Sequence, residues 1–227
     1  MSKTDKKLEK NWSIKKAEKY YYVPKWSSGY FTINSKGNLS IQPSGPTGPS
    51  IDILDVIKDL KSKNIQMPCI IRFQDILRSR VKEINEVFDK VIREFGYKGR
   101  FFGVYPIKVN QMREVVEEIL DAGSEYHFGL ESGSKTEILP VLAFNTDSEA
   151  LTICNGYKDD DYLKLALLGR KLDRKVIVVI EKLSELNSLI KLSKEMDVEP
   201  LIGIRARLST KSTGKWENSS GERAKLD

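Results

Sequence analysis

The sequence predicts an α/β fold in which short apolar strands alternate with amphipathic helices. From Phe101 onward, strand-like runs recur every two to three dozen residues, with a helical pattern between them. This alternation is typical of right-handed βαβ units and a parallel sheet. With 227 residues, of which 40% are hydrophobic and 31% charged, the chain can bury a substantial core. The pattern leaves open whether the sheet is open and doubly wound or closes into a (β/α)8 barrel.

Composition argues against several classes of protein. No apolar run approaches the ~18 residues that a membrane span needs, and the Lys-rich start lacks a signal-peptide core. Cys69 and Cys154 lie in apolar runs, which predicts buried thiols and, with the absence of a signal peptide, a cytoplasmic protein. The net charge of +6 is spread among interleaved acids, which favours a solvated surface over a nucleic-acid interface. The single histidine, His127, excludes a His-based metal cluster or a Ser-His-Asp triad within these residues and is expected to pack in the core.

The first fifty residues precede the alternating pattern. Residues 1–19 are predicted to be a polar lead, and residues 20–50 a β-hairpin segment followed by a linker. Two strand-like runs, 30–33 and 39–41, flank the turn residues 34–38. Prolines and glycines in residues 43–50 disfavour both helix and strand pairing there.

From Ile51 onward, each predicted element follows from its apolar spacing. Helical spacing predicts helices, the first with Ser50 as its N-cap, over residues 51–61, 75–95, 111–120, 134–144, 159–169 and 184–196. Continuous apolar runs predict strands over residues 68–73, 101–108, 126–131, 150–154, 175–181 and 201–207. The run Val176–Ile180 is the clearest buried strand.

Polar residues follow the predicted strands and are candidates for a functional site. They are Lys108 and Asn110, Glu131 to Ser134, Asn155 to Lys158, Glu181 and Lys182, and Arg205 or Arg207. In a parallel barrel the carboxyl ends of the strands meet at one rim, where a lysine, a carboxylate and a guanidinium could hold an anionic cofactor. We expect Lys108 to be partly desolvated, which would lower its pKa and free the amine for reaction with a carbonyl. The alternative is an ordinary lysine that extends its charge into solvent.

Three segments, in order along the chain, resemble the biosynthetic arginine decarboxylases. The segment VYPIKVNQ (residues 104–111) resembles the lysine segment of that family, and PKWSSGYFTIN (24–34) and GLESGSKTEI (129–138) resemble two others. The family belongs to the fold type III, alanine-racemase-like, pyridoxal-phosphate enzymes. The resemblance implies a partial pyridoxal-phosphate-binding (β/α)8 barrel over residues 51–227. It also implies that residues 20–50 form a short amino-terminal β segment that joins a larger β-domain.

The resemblance implies roles for individual residues. The matching lysine binds the cofactor covalently, which makes Lys108 the implied catalytic residue and a cofactor-binding residue. Glu131 matches an acidic residue beside that lysine, Asn155 lies in a matching strand exit, and Arg205 matches an arginine that lines the cofactor site. Ser134 and Glu137 are expected to form a capping box on the next helix. Residues 219–225 resemble a Gly/Ser-rich loop of the family.

The implied reaction converts L-arginine to agmatine and carbon dioxide, a step of polyamine synthesis. The resemblance also implies a homo-oligomer in the complete enzyme, and it admits Mg²⁺ beside pyridoxal phosphate. Charge and hydropathy predict no nucleic-acid or membrane partner. Alternatives are an ornithine or diaminopimelate decarboxylase, a non-catalytic pyridoxal-phosphate-binding barrel, and an interaction domain in which Lys108 is a surface lysine. The resemblance covers nearly all of the chain but about the first third of a complete enzyme. We therefore expect these 227 residues alone to be inactive.

Overall fold

A computed structural model of the chain describes residues 12–45 and 48–206. The chain divides into two compact units, residues 1–91 and residues 92–227. Arg207 and the Gly/Ser-rich segment 219–225 lie outside the described residues.

The first unit combines short helices with a small antiparallel sheet. Its elements are α1 (Ile14–Tyr20), α2 (Val23–Trp26), β1 (Phe31–Ile33), β2 (Leu39–Ile41), β3 (Ile51–Asp52) and α3 (Ile53–Ser62). The long helix α4 (Gln74–Glu94) begins in this unit and ends in the second. Strand β2 lies between β1 and β3 and pairs with each in the antiparallel direction.

The predicted hairpin is confirmed, and its turn depends on Asn34. The Asn34 side-chain oxygen accepts hydrogen bonds from the amides of Lys36 and Asn38, each at 3.0 Å. Gly37 adopts a φ of +82°, which glycine reaches without steric cost. A side-chain acceptor combined with a left-handed glycine is a local arrangement, so the turn could be predicted from these residues alone.

Helix α3 begins two residues later than expected because Asp52, and not Ser50, caps it. The Asp52 carboxylate accepts from the Leu54 amide at 2.9 Å. The side-chain amides of Asn38 and Asn34 also donate to it, at 2.8 and 2.9 Å. The Asn38 hydrogen bond is the largest influence that holds the pKa of Asp52 below its usual range.

Two further expectations in this unit are wrong. Residues 68–73 form no strand, and Ile70 is 79% exposed. Apolar composition is not enough to make a strand, because a strand needs a neighbour to pair with its backbone groups. Within the described part of the chain, none pairs with this run. Cys69 lies in the same run and is therefore exposed, whereas Cys154 is fully buried as expected.

The second unit is a five-stranded parallel sheet with a helix between successive strands. Its strands are β4 (Val104–Pro106), β5 (Gly129–Ser132), β6 (Leu151–Cys154), β7 (Lys175–Ile180) and β8 (Leu201–Ile204). Its helices are α5 (Arg113–Ala122), α6 (Lys135–Phe144), α7 (Asp160–Lys171) and α8 (Leu183–Met196), with short 3₁₀ turns at Ile107–Val109 and Ser124–Tyr126. The spatial order of the strands is β4-β5-β6-β7-β8, all parallel.

This strand order decides between the two predicted architectures. A doubly wound sheet reverses its order at a switch point, whereas a barrel adds each strand beside the last. The five strands follow one another without a reversal, as in a barrel. Right-handed crossovers of this kind place the connecting helices on one face of the sheet.

The largest core of this unit lies between the sheet and helices α6 to α8. Along β7, Val176, Val178 and Ile180 are buried, and the residues between them are half-buried on the other face. Helix α7 contributes a buried stripe whose members recur at helical spacing, namely Tyr162, Leu163, Ala166 and Leu167. At Gly129 of β5, an added Cβ would lie 1.9 Å from the Leu151 carbonyl oxygen, so no other residue lets β5 and β6 approach as they do.

His127 does not pack in the core as expected. Strand β5 begins at Gly129, and His127 precedes it in a left-handed conformation with a φ of 53°. Its side chain is 31% exposed, and its Nδ1 lies 2.8 Å from Asp147 Oδ2. Burial acts to raise the pKa of Asp147, but hydrogen bonds from the Glu149 amide and from His127 outweigh it and hold this pKa below its usual value.

We expect Asp147→Asn to reduce the acid sensitivity of folding. The folded-state pKa of Asp147 is depressed below the ordinary value of 3.8, so its stabilisation is present above that value and is lost as the pH falls through the folded pKa. The contribution is about 0.5 kcal/mol at pH 6, because a partly exposed pair is screened by water. Thermal unfolding between pH 6 and pH 3 measures it. Asp173→Asn, at an exposed residue, is the control. If Asp147→Asn loses as much stability between pH 6 and pH 3 as the wild type does, the contribution assigned to Asp147 is contradicted.

Candidate active site

Lys108 stands directly beyond strand β4. The strand is shorter than predicted, and Lys108 lies in the 3₁₀ turn Ile107–Val109 that follows it. Ile107 is buried and anchors this turn, which directs the next residue outward. The Lys108 side chain is 61% exposed, so the expected partial desolvation is wrong for the described structure. The amine is instead open to a molecule that approaches the edge of the sheet.

Glu131 lies beside this amine because of the strand register. It is the residue of β5 that pairs with Pro106 at the end of β4. Its Oε1 lies 3.3 Å from Lys108 Nζ, and its side chain is 20% exposed. A carboxylate at this distance accepts a charge-assisted hydrogen bond from the ammonium and can also accept its proton.

The expected capping box is present after β5 in a modified form. The Ser134 hydroxyl accepts from the Glu137 amide at 3.3 Å, as an N-cap should. The Glu137 carboxylate reaches back to the amide of Gly133 at 2.7 Å, one residue before the cap. The pair therefore holds the loop between β5 and α6 in place, which supports the structural role predicted for these residues.

Gly156 lets the loops after β5 and β6 approach each other. Gly156 has a φ of +72°, and an added Cβ there would lie 2.3 Å from the Gly133 carbonyl oxygen. Asn155, the neighbouring candidate residue, donates its backbone amide to the Ser132 carbonyl at 2.8 Å. The buried Tyr162 hydroxyl donates to the same carbonyl at 2.9 Å. These contacts place Asn155 at the same edge of the sheet as Glu131.

Arg205 follows strand β8 and contacts the residues at the end of strand β7. Its amide donates to the Ile180 carbonyl at 3.1 Å, which continues the pairing of β7 with β8. One guanidinium nitrogen, Nη1, lies 3.5 Å from Glu181 Oε1. Glu181 is nearly buried, with its side chain 6% exposed, whereas that of Arg205 is 44% exposed. The guanidinium is thus held on one side and open on the other.

The structure therefore contains two pairs of oppositely charged residues along the carboxyl edge of the sheet. Lys108 and Glu131 form the first at β4 and β5, and Glu181 and Arg205 form the second at β7 and β8. Asn155 lies on the strand exit between them. The Lys182 ammonium lies 3.7 Å from the centre of the Tyr157 ring.

Sequence reasoning missed Glu185. Its side chain is 4% exposed and pairs with Lys158, whose side chain is fully buried. The sequence did contain a signal, because Glu185 shares the apolar face of α8 with Leu189 and Leu192 at helical spacing. A charged residue on an otherwise apolar helix face indicates a buried, paired charge.

The described part of the chain contains neither a candidate metal cluster nor a candidate membrane-spanning helix. Over residues 12–45 and 48–206, no cluster of three or more His, Cys, Asp or Glu side chains could hold a metal ion. In the same ranges, no helix has both the length and the apolarity to cross a membrane.

Comparison with known proteins identifies the family of this chain. The model of the family described as "Pyridoxal-dependent decarboxylase, pyridoxal binding domain" matches residues 81–226. The biosynthetic arginine decarboxylase of Prochlorococcus marinus (strain MIT 9303) is 44% identical over 217 residues, which is 96% of this chain and 34% of the relative. The enzyme of the same name from Phocaeicola vulgatus is 43% identical, with the same coverage.

A solved structure shares the fold. The crystal structure of the biosynthetic arginine decarboxylase SpeA from Campylobacter jejuni matches with a TM-score of 0.74 and 31% sequence identity. The match covers 84% of this chain and 31% of that one. The chain spans about a third of the length of the curated relatives that it matches. The family model covers well over half of the chain, which therefore belongs to the pyridoxal-dependent decarboxylases and carries their pyridoxal-binding domain.

Proposed function

We propose that this chain is the cofactor-holding part of a decarboxylase that converts L-arginine to agmatine and carbon dioxide. The observation that carries the proposal is the exposed Lys108 amine 3.3 Å from the Glu131 carboxylate, at the carboxyl edge of a parallel sheet. That edge is where parallel α/β barrels place their chemistry. The names of the relatives, biosynthetic arginine decarboxylases, support arginine as the substrate. Residues 51–227 would belong to the barrel, and residues 20–50 to a β segment that forms part of a larger β-domain.

The residues at this edge fit pyridoxal phosphate. The cofactor carries an aldehyde, which reacts with a primary amine, and an anionic phosphate, which a guanidinium can bind. Lys108 offers an exposed amine, and Arg205 a cation that is open on one side. When bound, the cofactor supplies an electron-accepting ring for the electron pair that carbon dioxide leaves behind.

Each of the four candidate residues has a separate role in this proposal. Lys108 would hold the cofactor through its amine, once the ammonium has given up a proton. Glu131 is the acceptor for that proton, because its Oε1 is the carboxylate oxygen at hydrogen-bonding distance from Nζ. Arg205 supplies fixed positive charge, and Asn155 lines the edge between the two pairs.

Borohydride trapping on the chain itself tests the cofactor part of the proposal. Reduction makes the bond between a lysine amine and pyridoxal phosphate permanent, and peptide mass spectrometry locates it. We expect the label on Lys108 and little on exposed lysines such as Lys191, whose side chain is 71% exposed. Label spread among the exposed lysines in proportion to their exposure would refute the proposal and favour a plain surface lysine.

The substrate is tested with the protein produced from its complete gene. Release of labelled carbon dioxide from arginine, with little from ornithine or diaminopimelate, is the expected result. Equal or greater release of carbon dioxide from ornithine would contradict arginine as the substrate and indicate an ornithine decarboxylase. We further propose a cytoplasmic homo-oligomer, which sedimentation of the same protein tests. Mg²⁺, which the resemblance admits, is not part of the proposal, since residues 12–45 and 48–206 offer no metal cluster.

A further inference from the structure

We propose that buried Glu185 is a positioning residue for the candidate active site at the carboxyl edge of the sheet. It holds Glu181 in place, and through Glu181 it sets the direction of the Arg205 guanidinium. The catalytic meaning of this inference rests on the proposed function. The geometry of the three residues does not, and it can be tested without the cofactor.

The position of Glu185 is unusual for a carboxylate. It lies in the first turn of α8 with 4% of its side chain exposed, on the face that Leu189 and Leu192 bury in the core. A carboxylate in such a place is costly unless hydrogen bonds and a counter-charge satisfy it. The contacts of Glu185 meet that requirement with groups from two strand exits.

Glu185 joins the loops after β6 and β7. Its Oε1 accepts from the backbone amide of Lys158 at 3.0 Å. Its Oε2 accepts from the backbone amide of Glu181, also at 3.0 Å, and lies 3.4 Å from Lys158 Nζ. Lys158 Nζ in turn donates to the Gly156 carbonyl. One carboxylate therefore restrains both strand exits.

Glu181 passes this restraint on to Arg205. Its backbone is held by Glu185, and its Oε1 accepts from the Gly156 amide at 2.8 Å. The same Oε1 lies 3.5 Å from Arg205 Nη1. Since Glu181 is 6% exposed, its carboxylate has little freedom to follow Arg205 if the guanidinium moves. The contacts thus run continuously from Glu185 to Glu181 to Arg205.

A helix-capping role for Glu185 is the competing explanation. Helix α8 has no side-chain hydrogen bond at its N-cap, Lys182, and a first-turn acid favours the helix dipole. That role would affect only the stability of the helix. The positioning role predicts an additional effect on Arg205, which lies beyond the next strand.

Glu185→Gln tests the inference, with Glu195→Gln as its matched control. Glu195 lies on the same helix, but its side chain is 53% exposed. Glutamine keeps the shape of glutamate but presents an N–H₂ donor in place of one acceptor oxygen, so it cannot accept from both loops and balance Lys158. We expect phenylglyoxal to modify Arg205 several-fold faster in Glu185→Gln, measured on the Arg205 peptide, and at the wild-type rate in Glu195→Gln.

The cofactor affinity provides the second measurement. We expect Glu185→Gln to weaken pyridoxal-phosphate binding about tenfold, by analogy with the loss seen when a residue that orients a metal ligand is removed. In an Arg205→Ala background, Glu185→Gln should weaken pyridoxal-phosphate binding about twofold or less, because the residue that Glu185 positions is absent. A role confined to helix stability would lower the melting temperature and leave the Arg205 reactivity unchanged.

Two results would overturn the inference. One is unchanged Arg205 reactivity in Glu185→Gln, and the other is an equal loss of affinity with and without Arg205. If the wild-type chain captures no pyridoxal phosphate, the proposed function fails, but the reactivity of Arg205 still decides this inference. Should Glu185→Gln not fold, Glu181→Gln breaks the same chain of contacts one step later and leaves the Glu185–Lys158 pair intact. It should raise the Arg205 reactivity equally.

Discussion

Replacing Lys108 with alanine should abolish covalent capture of pyridoxal phosphate by this chain. Alanine has no amine, and the amine of Lys108 is the group that we assign to the cofactor carbonyl. The side chain is 61% exposed on a turn that buried Ile107 anchors, so its loss should change the free energy of unfolding by about 0.5 kcal/mol or less. In the protein from the complete gene, decarboxylation should fall on the order of a thousand-fold or more.

Two further variants make this result specific. Lys108→Arg keeps the positive charge beside Glu131 but forms no stable bond with the carbonyl, so it should also lose capture. Lys191→Ala removes a lysine whose side chain is 71% exposed on helix α8, and it should bind the cofactor as wild type does. Borohydride reduction followed by mass spectrometry reads all three variants. Full labelling of Lys108→Ala would show that another lysine holds the cofactor.

Replacing Lys158 with methionine should destabilise the fold by about 3 kcal/mol, the typical cost of removing one partner of a buried ion pair. The Lys158 side chain is fully buried, and its ammonium lies 3.4 Å from the Glu185 carboxylate. Methionine fills similar space but supplies no charge, which leaves the carboxylate buried without its cation. Urea unfolding at pH 7, with the slope compared between variants, measures the change.

The matched control is Lys164→Met on helix α7. Lys164 also pairs with an acid, Asp161, but at 3.9 Å and with its side chain 50% exposed, so its loss should cost about 0.5 kcal/mol or less. The double variant Lys158→Met with Glu185→Gln should recover part of the loss, because no charge is then left unpaired and the glutamine oxygen can still accept from one of the two backbone amides. Equal destabilisation by Lys158→Met and Lys164→Met would show that burial of the pair contributes nothing.

The helices of the second unit could be predicted because their signals are local. Ser134 and Asp159 mark helix starts, and both side chains accept from an amide three residues ahead. The strands were less well predicted. An eight-residue run that ends at Lys108 contains a strand of three residues, and residues 68–73 contain none. Apolar composition shows which residues avoid water, but a strand also depends on a neighbour that is distant in sequence.

The candidate site, likewise, could be predicted only in part from the sequence. The position of Lys108 after an apolar run, and its resemblance to a known lysine segment, pointed to the residue directly. The links from Glu185 to Glu181 and from Glu181 to Arg205 did not emerge from the sequence. Each depends on side-chain directions at neighbouring strand exits, and Glu181 and Arg205 are separated by a whole helix and strand.

The sequence by itself determined the α/β class, the helices of the second unit and the family, and it pointed to Lys108 as the candidate cofactor lysine. These depend on local periodicity, on capping chemistry and on short segments of fixed spacing. Only the tertiary structure decided between an open sheet and the barrel arrangement, through the unreversed order β4-β5-β6-β7-β8. It also placed His127 on Asp147 and Lys158 on Glu185. The physical reason is that strand order and buried ion pairs are contacts between distant segments, which form only when the chain packs.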